Sequence, residues 1–540
     1  MFDGLHIGLS ALQTQKKSIE TTGHNIANAN NEDYSRQKAI QTTKQPNLLP
    51  GSNFQMGSGV KVADIERIQD EFINQQVREE SQEAGYWDQI QQGMERIEYI
   101  FNEPSDSGLQ SAFDSFWNSL QDLNTNPSDT ATRAAVKNQG MVLTKAFRNI
   151  NEQMTDYKRS LNSDVDKTVN EINSIAERIS NYNKQITTAL ASNNKPNDLL
   201  DKREALYNEL NQLVTVKGST DDVGNLNITV DGKKLVSKFD TNTLKTQQNG
   251  TYEDEIVVDL NGKEVKVNPQ GGGLKGIMDV RDTEIPTYLD KVDEMADSLK
   301  EQFNKKHSNG FDLNGNTGND FFRINSSYDR ASRGIEVHPD IKADDGINKI
   351  AAGNFSEDPN VVTGEITDSS NIKTDRYYNV KISDNSGNFD YEIVDSEGNH
   401  VYSDTNVPEG TELKFTNFNL TLNGTGETNI NFNKSVGNGN NASALAETIN
   451  QDQVLNGATI TDNYQALIST VGVNAQRADQ MKNSQQDLVK QLGNIKESVS
   501  GVSLDEEMAN MIKYQQGYNA AAKLITKTDE MLQTLMGMIR

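Results

Sequence analysis

The sequence contains no cysteine among its 540 residues. This absence excludes disulfide bonds, thiolate metal sites and cysteine nucleophiles. Aromatic residues make up only 6% of the chain and apolar residues 34%, and the mean hydropathy is −0.72. Such a chain has much surface relative to its core. We therefore expect an elongated molecule of roughly two to four domains rather than one compact globule.

Basic residues are also scarce, with 52 Lys and Arg against 78 Asp and Glu and a formal net charge of −26. Nucleic acids and anionic membranes both need basic partners, so the sequence predicts neither kind of binding. The two ends of the chain are nearly neutral, which lets copies of the chain approach one another through them.

No long hydrophobic run is present. The N-terminal residues lack both a basic segment and a continuous apolar segment, so we expect no Sec-type signal peptide. No run is as long as a membrane span, so we expect no membrane insertion.

Motifs that carry chemistry are weak or incomplete. The five histidines are scattered and form no His-Glu-x-x-His pattern. Residues 271–276 fit Gly-x-Gly-x-x-Gly but lack a surrounding βαβ repeat, so we interpret them as a turn into a helix. Residues 312–317 resemble the start of a calcium loop, but Thr317 occupies its glycine position and Arg323 its glutamate position. We expect Asx turns there, and no catalytic, cofactor or metal site in the chain.

Residues 501–540 contain the clearest pattern. Apolar side chains recur every seven residues, which predicts a helix whose stripe packs on another helix. Ser503 is a candidate N-cap with Glu506 as its capping-box partner. The repeat consists of Leu504, Met511, Tyr518, Ile525, Leu532 and Ile539.

A matching repeat lies at the other end of the chain, in Leu5, Leu12, Ile19 and Ile26. A helix of this length is only marginally stable unless its apolar face is buried. Both terminal helices could pack on the chain's own core. The matched repeats favour partners in each other or in neighbouring copies.

The middle of the chain changes period. Helical spacing predicts helices over about 62–102, 108–125, 130–191, 197–214, 274–306 and 462–499, with a shorter one at 442–450. Residues 215–270 and 357–440 alternate with a period of two, which is typical of antiparallel strands, and Asp231-Gly232 predicts a type I′ hairpin.

These patterns predict an α+β multidomain fold, with a long coiled-coil-like bundle built from both termini and small antiparallel β-domains inserted in the middle. We assign residues 1–30 and 501–540 to the terminal helices, and 31–214, 272–306 and 441–500 to a helical bundle. Residues 215–271 and 307–356 form a β-rich domain, and 357–440 an outer β-rich insert.

Several motifs resemble a known family. They are residues 10–12, residues 24–30 with residues 34–37 (Tyr-Ser-Arg-Gln), Asn126-Pro127 with Arg133, residues 197–201 and residues 501–532. Together these motifs are similar to those of bacterial flagellar rod, hook and hook-associated proteins, and the Tyr-Ser-Arg-Gln ending favours the hook-associated branch. Residues 31–33 depart from the Thr-Pro-Gly that the family usually shows.

The resemblance implies a non-enzymatic structural protein that polymerises as a ring at the junction of hook and filament. It implies extracellular location, type III export without a cleaved signal peptide, and contacts with itself, the hook protein, a second junction protein and a cytoplasmic export chaperone. The implied polymerisation interface is Leu5, Leu12, Ile19, Ile26, Leu504, Met511, Tyr518, Ile525, Leu532 and Ile539. The last five of these are also the implied chaperone-binding face.

Three alternatives remain open. One is another axial protein of the hook or rod type. Another is a secreted adhesin or effector whose β-domains bind a surface. The third is an enzyme within residues 357–440, where the sequence shows no converging polar set.

Overall fold

The computed structural model of the chain describes residues 2–48, 55–106, 108–192, 194–248, 254–260, 262–354, 360–366, 377–431, 438–450, 455 and 457–538. Its α-helices are α1 (Phe2–Ala27), α2 (Glu71–Phe101), α3 (Leu109–Thr125), α4 (Thr130–Ala191), α5 (Asn197–Leu213), α6 (Gly272–Asp279), α7 (Ile285–Asn309), α8 (Ala331–Gly334), α9 (Pro339–Lys342), α10 (Asn440–Asn450), α11 (Ile460–Ser500) and α12 (Leu504–Met538).

The strands lie mostly between the long helices. They are β1 (Gln37–Thr43), β2 (Asn47–Leu48), β3 (Gln55–Met56), β4 (Val60–Arg67), β5 (Val216–Thr220), β6 (Leu226–Val230), β7 (Lys233–Ser237), β8 (Asp240–Thr241), β9 (Leu244–Gln248), β10 (Asp254–Leu260), β11 (Lys263–Val267), β12 (Phe322–Ile324), β13 (Ile335–Val337), β14 (Val362–Ile366), β15 (Tyr377–Asn385), β16 (Asn388–Asp395), β17 (His400–Val407), β18 (Glu412–Lys414), β19 (Phe418–Leu422) and β20 (Gly426–Asn431). Long helices at both ends with small antiparallel sheets in the middle confirm the predicted fold class.

The chain divides into two compact units. The first comprises residues 1–92, 161–280 and 477–540, and the second comprises residues 93–160 and 281–476. Helix α4 contributes to both units and has the bounds that its periodicity predicts. The apolar stripe of α4 shifts by four residues between Leu161 and Val165, beside the boundary between its two parts.

The first unit contains the terminal helices and most of the small sheets. Strand β1 pairs with β4, and two further antiparallel sheets have the orders β5-β6-β7-β8 and β9-β10-β11. Asp231 and Gly232 both have positive φ, at 48° and 72°, which confirms the predicted type I′ turn between β6 and β7.

The glycine run leads into a helix, as predicted, with Gly271 as the N-cap of α6 and Gly272 as its first residue. Gly272 has a φ of +79°, and a Cβ atom there would lie 2.7 Å from the backbone of Leu213 and Val214. Only glycine combines this backbone conformation with so close an approach. The run therefore serves the packing of α6 against the end of α5.

The second unit includes two sheets whose facing sides form one hydrophobic core. Their strand orders are β17-β16-β15-β20 and β14-β19-β18. The alternating apolar residues of the predicted strands are buried here, including Val380, Ile393 and Leu420. The outward residues of the same strands are mostly polar, as the period of two requires.

The Asn-Pro motif of the second unit is organised by a buried arginine. Arg133 donates from Nε to the carbonyl oxygen of Pro127 at 2.6 Å, and from Nη1 to those of Ile350 at 2.8 Å and Ile347 at 3.2 Å. The guanidinium therefore joins the start of α4 to the loop that precedes residue 351.

In the loop that resembles a calcium site, the Asp312 carboxylate is bound by backbone amides of the loop itself. Asp312 Oδ1 accepts hydrogen bonds from the amides of Asn314 and Asn316, both at 2.8 Å. These are the predicted Asx turns.

One sequence prediction is wrong. Residues 62–68 were expected to begin a helix, but Val60–Arg67 is strand β4, because β1 supplies a ladder of backbone partners. Leu488 and Ile495 follow the helical spacing of α11, but they are 39% and 49% exposed. Periodicity places residues on one face of a helix without showing that a partner covers it.

His307 provides a test of the second unit through pH. It is fully buried, its Nδ1 donates to the carbonyl oxygen of Asn319 at 2.7 Å, and its Nε2 accepts from the amide of Ala351 at 3.0 Å. Burial lowers the pKa of His307 to about 4. The unfolded chain therefore binds a proton below about pH 6.5 that the folded chain does not bind until about pH 4.

We therefore expect the contribution of neutral His307 to stability to be complete above about pH 6.5. At about pH 5 the free energy of unfolding should be lower by about 2 kcal/mol, because the unfolded chain gains a proton that the folded chain does not. Urea unfolding of the full chain at both pH values measures this loss. The variant His307→Gln keeps a hydrogen-bonding amide but does not titrate. An equal pH dependence in the variant and the natural chain would contradict the assignment.

Candidate assembly site

The two terminal helices pack on each other in antiparallel directions. A Cβ atom at Gly4 would contact Thr528, and one at Gly517 would contact Gln15. The closest approach is at Gly8, where an added Cβ would lie 2.7 Å from Cγ1 of Ile525. Glycines at these points let the helix backbones approach closely.

The predicted polymerisation residues that the structure describes lie on or beside this seam. Most are half-buried, whereas Leu504 is 49% exposed and Ile539 lies outside the described residues. The half-buried residues are Leu5, Leu12, Ile19 and Ile26 on α1 and Met511, Tyr518, Ile525 and Leu532 on α12. Part of the predicted stripe is thus used inside a single chain, as one of the sequence alternatives expected.

A polar face of α1, which sequence reasoning missed, contacts the β1–β4 hairpin. The Oγ of Ser10 accepts from the amide of Val60 at 3.3 Å, and Thr14 Oγ1 donates to the Val60 carbonyl at 3.2 Å. Gln41 on β1 donates to the hydroxyl of Ser18 at 3.0 Å. The signal was available in the sequence, since Ser10, Thr14 and Ser18 recur every four residues.

Two exposed apolar surfaces remain on α12, one on each side of the seam. We call Leu504, Met508 and Ile512 the first flank, and Leu524, Met531, Leu535 and Met538 the second flank. Met531 is 56% and Met538 is 81% exposed. The two flanks lie in different halves of α12 along its length. The helical period also places them on opposite sides of the seam residues, so the paired terminal helices leave apolar surface on both sides of the seam.

Two of the family motifs, at residues 24–30 and 34–37, meet through the buried side chain of Asn25. Its Nδ2 donates to the carbonyl oxygen of Gln37 at 2.9 Å, and its Oδ1 accepts from the Gln37 amide at 3.0 Å. The same oxygen accepts from the hydroxyl of Tyr34 at 2.7 Å. Asn25 therefore fixes the segment that follows α1 onto α1 itself.

The motif at residues 197–201 joins the same cluster. Asp198 accepts from Gln37 Nε2 at 2.9 Å, and Asp201 accepts from the amide of Ser35 at 3.3 Å. Arg67 on β4 donates to Asp201 at 2.9 Å. Motifs more than 150 residues apart in sequence thus form one hydrogen-bonded group, which we call the motif cluster.

The electrostatics of the motif cluster keep its tyrosine protonated. Burial raises the pKa of Tyr34, and the nearby carboxylates of Asp198, Asp201 and Glu507 raise it further. The hydroxyl therefore remains a donor to Asn25. Burial also raises the pKa of Asp201, and the hydrogen bond and charge of Arg67 only partly oppose this effect.

Arg36 links the motif cluster to the C-terminal helices. Its amide donates to the carbonyl oxygen of Ser500, and its Nη1 donates to Glu506 Oε2 at 2.8 Å. Ser503 Oγ accepts from the amide of Glu506 at 3.4 Å, which confirms the predicted N-cap. In a capping box the Glu506 carboxylate would accept from the amide of Ser503, but here it contacts Arg36 instead. Residues 34–37 thus contact α1, α5, the end of α11 and the start of α12.

The part of the chain that the structure describes contains no cluster of three or more His, Asp or Glu side chains suited to a metal ion. Within the same residues, every helix is too short or too polar to cross a bilayer.

Comparison with known families agrees with this arrangement. Residues 94–322 match the family model of the flagellar hook-associated protein FlgK helical domain. Residues 497–538 match the model of the flagellar basal body rod FlgEFG protein C-terminal region.

Similar proteins extend over nearly the whole chain. Flagellar hook-associated protein 1 of Bacillus subtilis is 28% identical over 99% of this chain and 98% of its own length. The protein of the same name from Salmonella typhimurium is 27% identical and covers 98% of both chains. The structure of the flagellar hook junction protein FlgK from Burkholderia pseudomallei has a similar fold, with a TM-score of 0.63 and 18% identity over 80% of this chain and all of that one.

The paired terminal helices, the motif cluster and these matches define a structural protein of the bacterial flagellum, of the axial class. More particularly, the chain belongs to the family of FlgK-type flagellar hook-associated proteins.

Proposed function

We propose that copies of this chain polymerise through their terminal helices into a ring on the distal end of the hook, where they join hook to filament. The observation that carries the proposal is the α1–α12 pair, which leaves an apolar flank exposed on each side of its seam. Burial of such surface between copies is the main driving force available for assembly.

The predicted polymerisation residues then have two kinds of role. Leu5, Leu12, Ile19 and Ile26 with Met511, Tyr518, Ile525 and Leu532 shape the pair within each copy and supply its partly exposed edges. The two flanks, which include Leu504, contact neighbouring copies, and Ile539 lies outside the described residues. Substitutions in the seam should therefore weaken the helix pair within each copy, whereas substitutions in the flanks should weaken contacts between copies.

The finer assignments of partner and location rest on the family resemblance. We propose contacts with the hook protein and a second junction protein, and extracellular assembly after type III export without a cleaved signal peptide. A cytoplasmic chaperone would cover Met511, Tyr518, Ile525, Leu532 and Ile539 before export. The chain has no catalytic role in this proposal.

Deletion and complementation test the proposed function. Cells without the chain should build hooks yet release filament subunits into the medium, and the natural chain should restore filaments. Met531→Asp should be exported but recovered from the medium, with filaments reduced about tenfold or more, because an unpaired charge buried between copies costs several kcal/mol.

The matched control is Gln516→Asp, which introduces the same charge at an exposed polar position on α12. Ile525→Asp is a less selective test because Ile525 contacts Gly8 within the chain. Normal filaments on cells that carry Met531→Asp, or on cells without the chain, would contradict the proposal.

A further inference from the structure

The C-terminal half of α11 carries an apolar stripe that its own unit does not cover. Each of residues 479–499 is half-buried or exposed, although this part of α11 belongs to the first compact unit. Within this segment Leu488, Leu492, Ile495 and Val499 follow a spacing of four, three and four residues, which places them on one face. We call these four residues the α11 stripe.

The α11 stripe leads directly to the first flank of α12. Only residues 501–503 separate the two helices, and four Cα–Cα steps keep Ser500 and Leu504 within about 15 Å. Val502, in this connection, is itself half-buried. Exposed or half-buried apolar residues therefore recur along the chain from Leu488 to Ile512.

The second flank of α12 offers a different surface. The second flank is confined to residues 524–538, whereas the stripe and first flank lie within residues 488–512. Identical copies that stack by a repeated rotation and shift must meet through two different surfaces on each copy. The chain has two such surfaces at different positions along its C-terminal helices, namely the stripe with the first flank and the second flank.

We propose that the α11 stripe is a contact between copies, covered by the second flank of α12 from a neighbouring copy. This inference rests on the proposed function, because it takes repeated copies of the chain as given. It extends the assembly surface beyond the terminal helices and the residues that heptad spacing predicted. The polar neighbours of the stripe, such as Lys490, keep the isolated chain soluble without covering it.

Cysteine cross-linking tests the contact directly, because the chain has no cysteine of its own. A chain that carries Ile495→Cys and Met531→Cys should, when assembled on hooks and treated with a short bis-maleimide, give a ladder of dimers, trimers and higher species. A ladder is expected because each copy contributes one cysteine to each of two neighbours. The control pair, Lys490→Cys with Met531→Cys, should give at least fivefold less.

The outcomes separate this inference from the proposed function. A ladder from Met508→Cys with Met531→Cys, but none from the Ile495 pair, would overturn the role of the α11 stripe and leave assembly through α12 intact. No ladder from either pair would overturn both. Cross-linking of position 495 to a different protein would also overturn the copy-to-copy contact.

A second measurement avoids cross-linking. Leu488→Ser with Ile495→Ser should leave the unfolding midpoint of the isolated chain nearly unchanged, because both side chains are substantially exposed. Incorporation onto hooks should fall about tenfold. Normal incorporation would argue that the stripe remains exposed in the assembled structure.

Discussion

Alanine at Gly8 is expected to weaken the pairing of the terminal helices, whereas alanine at Gly23 of the same helix is expected to strengthen α1. Replacing glycine by alanine within a helix adds about 1 kcal/mol of stability when space is available. At Gly23 no atom lies within 4 Å of the added Cβ, but at Gly8 it would lie 2.7 Å from Ile525. Helix propensity alone predicts that alanine stabilises the helix at both positions. Packing predicts that alanine destabilises the helix pair at Gly8 and stabilises α1 at Gly23.

Leucine at Gly8 should have a larger effect. Overpacking costs about 1 to 3 kcal/mol in a well-packed core, and leucine is larger than the alanine whose Cβ already meets Ile525. Hydrogen exchange of the amides in α1 and α12 should therefore rise strongly in Gly8→Leu and remain near its natural rate in Gly23→Leu. Filament formation should follow the same order.

A compensating change strengthens this test. Ile525→Ala removes the atom that Gly8→Ala would contact, so the double variant should recover part of the pairing that Gly8→Ala loses. Equal hydrogen exchange in Gly8→Leu and Gly23→Leu would show that the helices are not held by this close approach. Additive effects of Gly8→Ala and Ile525→Ala would lead to the same conclusion.

The long helices were the most predictable part of the fold. The bounds of α4 followed from apolar residues at helical spacing and from the Asn-Pro turn before it, because those signals are local. Strand β4 was missed because Val60–Arg67 contains apolar residues that suit either period, and the ladder with β1 decides between them. Pairing across about twenty residues is not visible in a short window of sequence.

The candidate site was predictable in its parts but not in its arrangement. Heptad spacing identified the seam, but it could not tell whether the chain itself or another copy covers it. In the structure, Ile525 packs against Gly8 of the same chain, whereas Met531 remains exposed to solvent. The motifs around Asn25 and Asp201 were recognised separately, since only the folded backbone brings them together.

The motif cluster gives the second large prediction, in the variant Asn25→Leu. Leucine has a similar volume, but it leaves the amide and carbonyl of Gln37 without the partner that Asn25 provides, whereas the hydroxyl of Tyr34 keeps its contact with His24 Nδ1 at 3.1 Å. A buried polar group that loses its partner costs about 1 to 3 kcal/mol, so we expect a loss of about 4 kcal/mol in local stability. The segment at residues 34–37 should then separate from α1, and with it the contacts of Arg36 to Ser500 and Glu506.

Asn28→Leu is the matched control, because Asn28 lies one turn further on and its Nδ2 bonds only locally, to the carbonyl of His24 at 3.0 Å. Hydrogen exchange over α1, residues 34–37 and the start of α12 should increase in Asn25→Leu far more than in Asn28→Leu. If both variants behaved alike, the motif cluster would be a consequence of the terminal pairing rather than its support. If only Asn25→Leu exposes α12, the geometry of residues 34–37 serves to hold the assembly helices in position before a neighbouring copy binds.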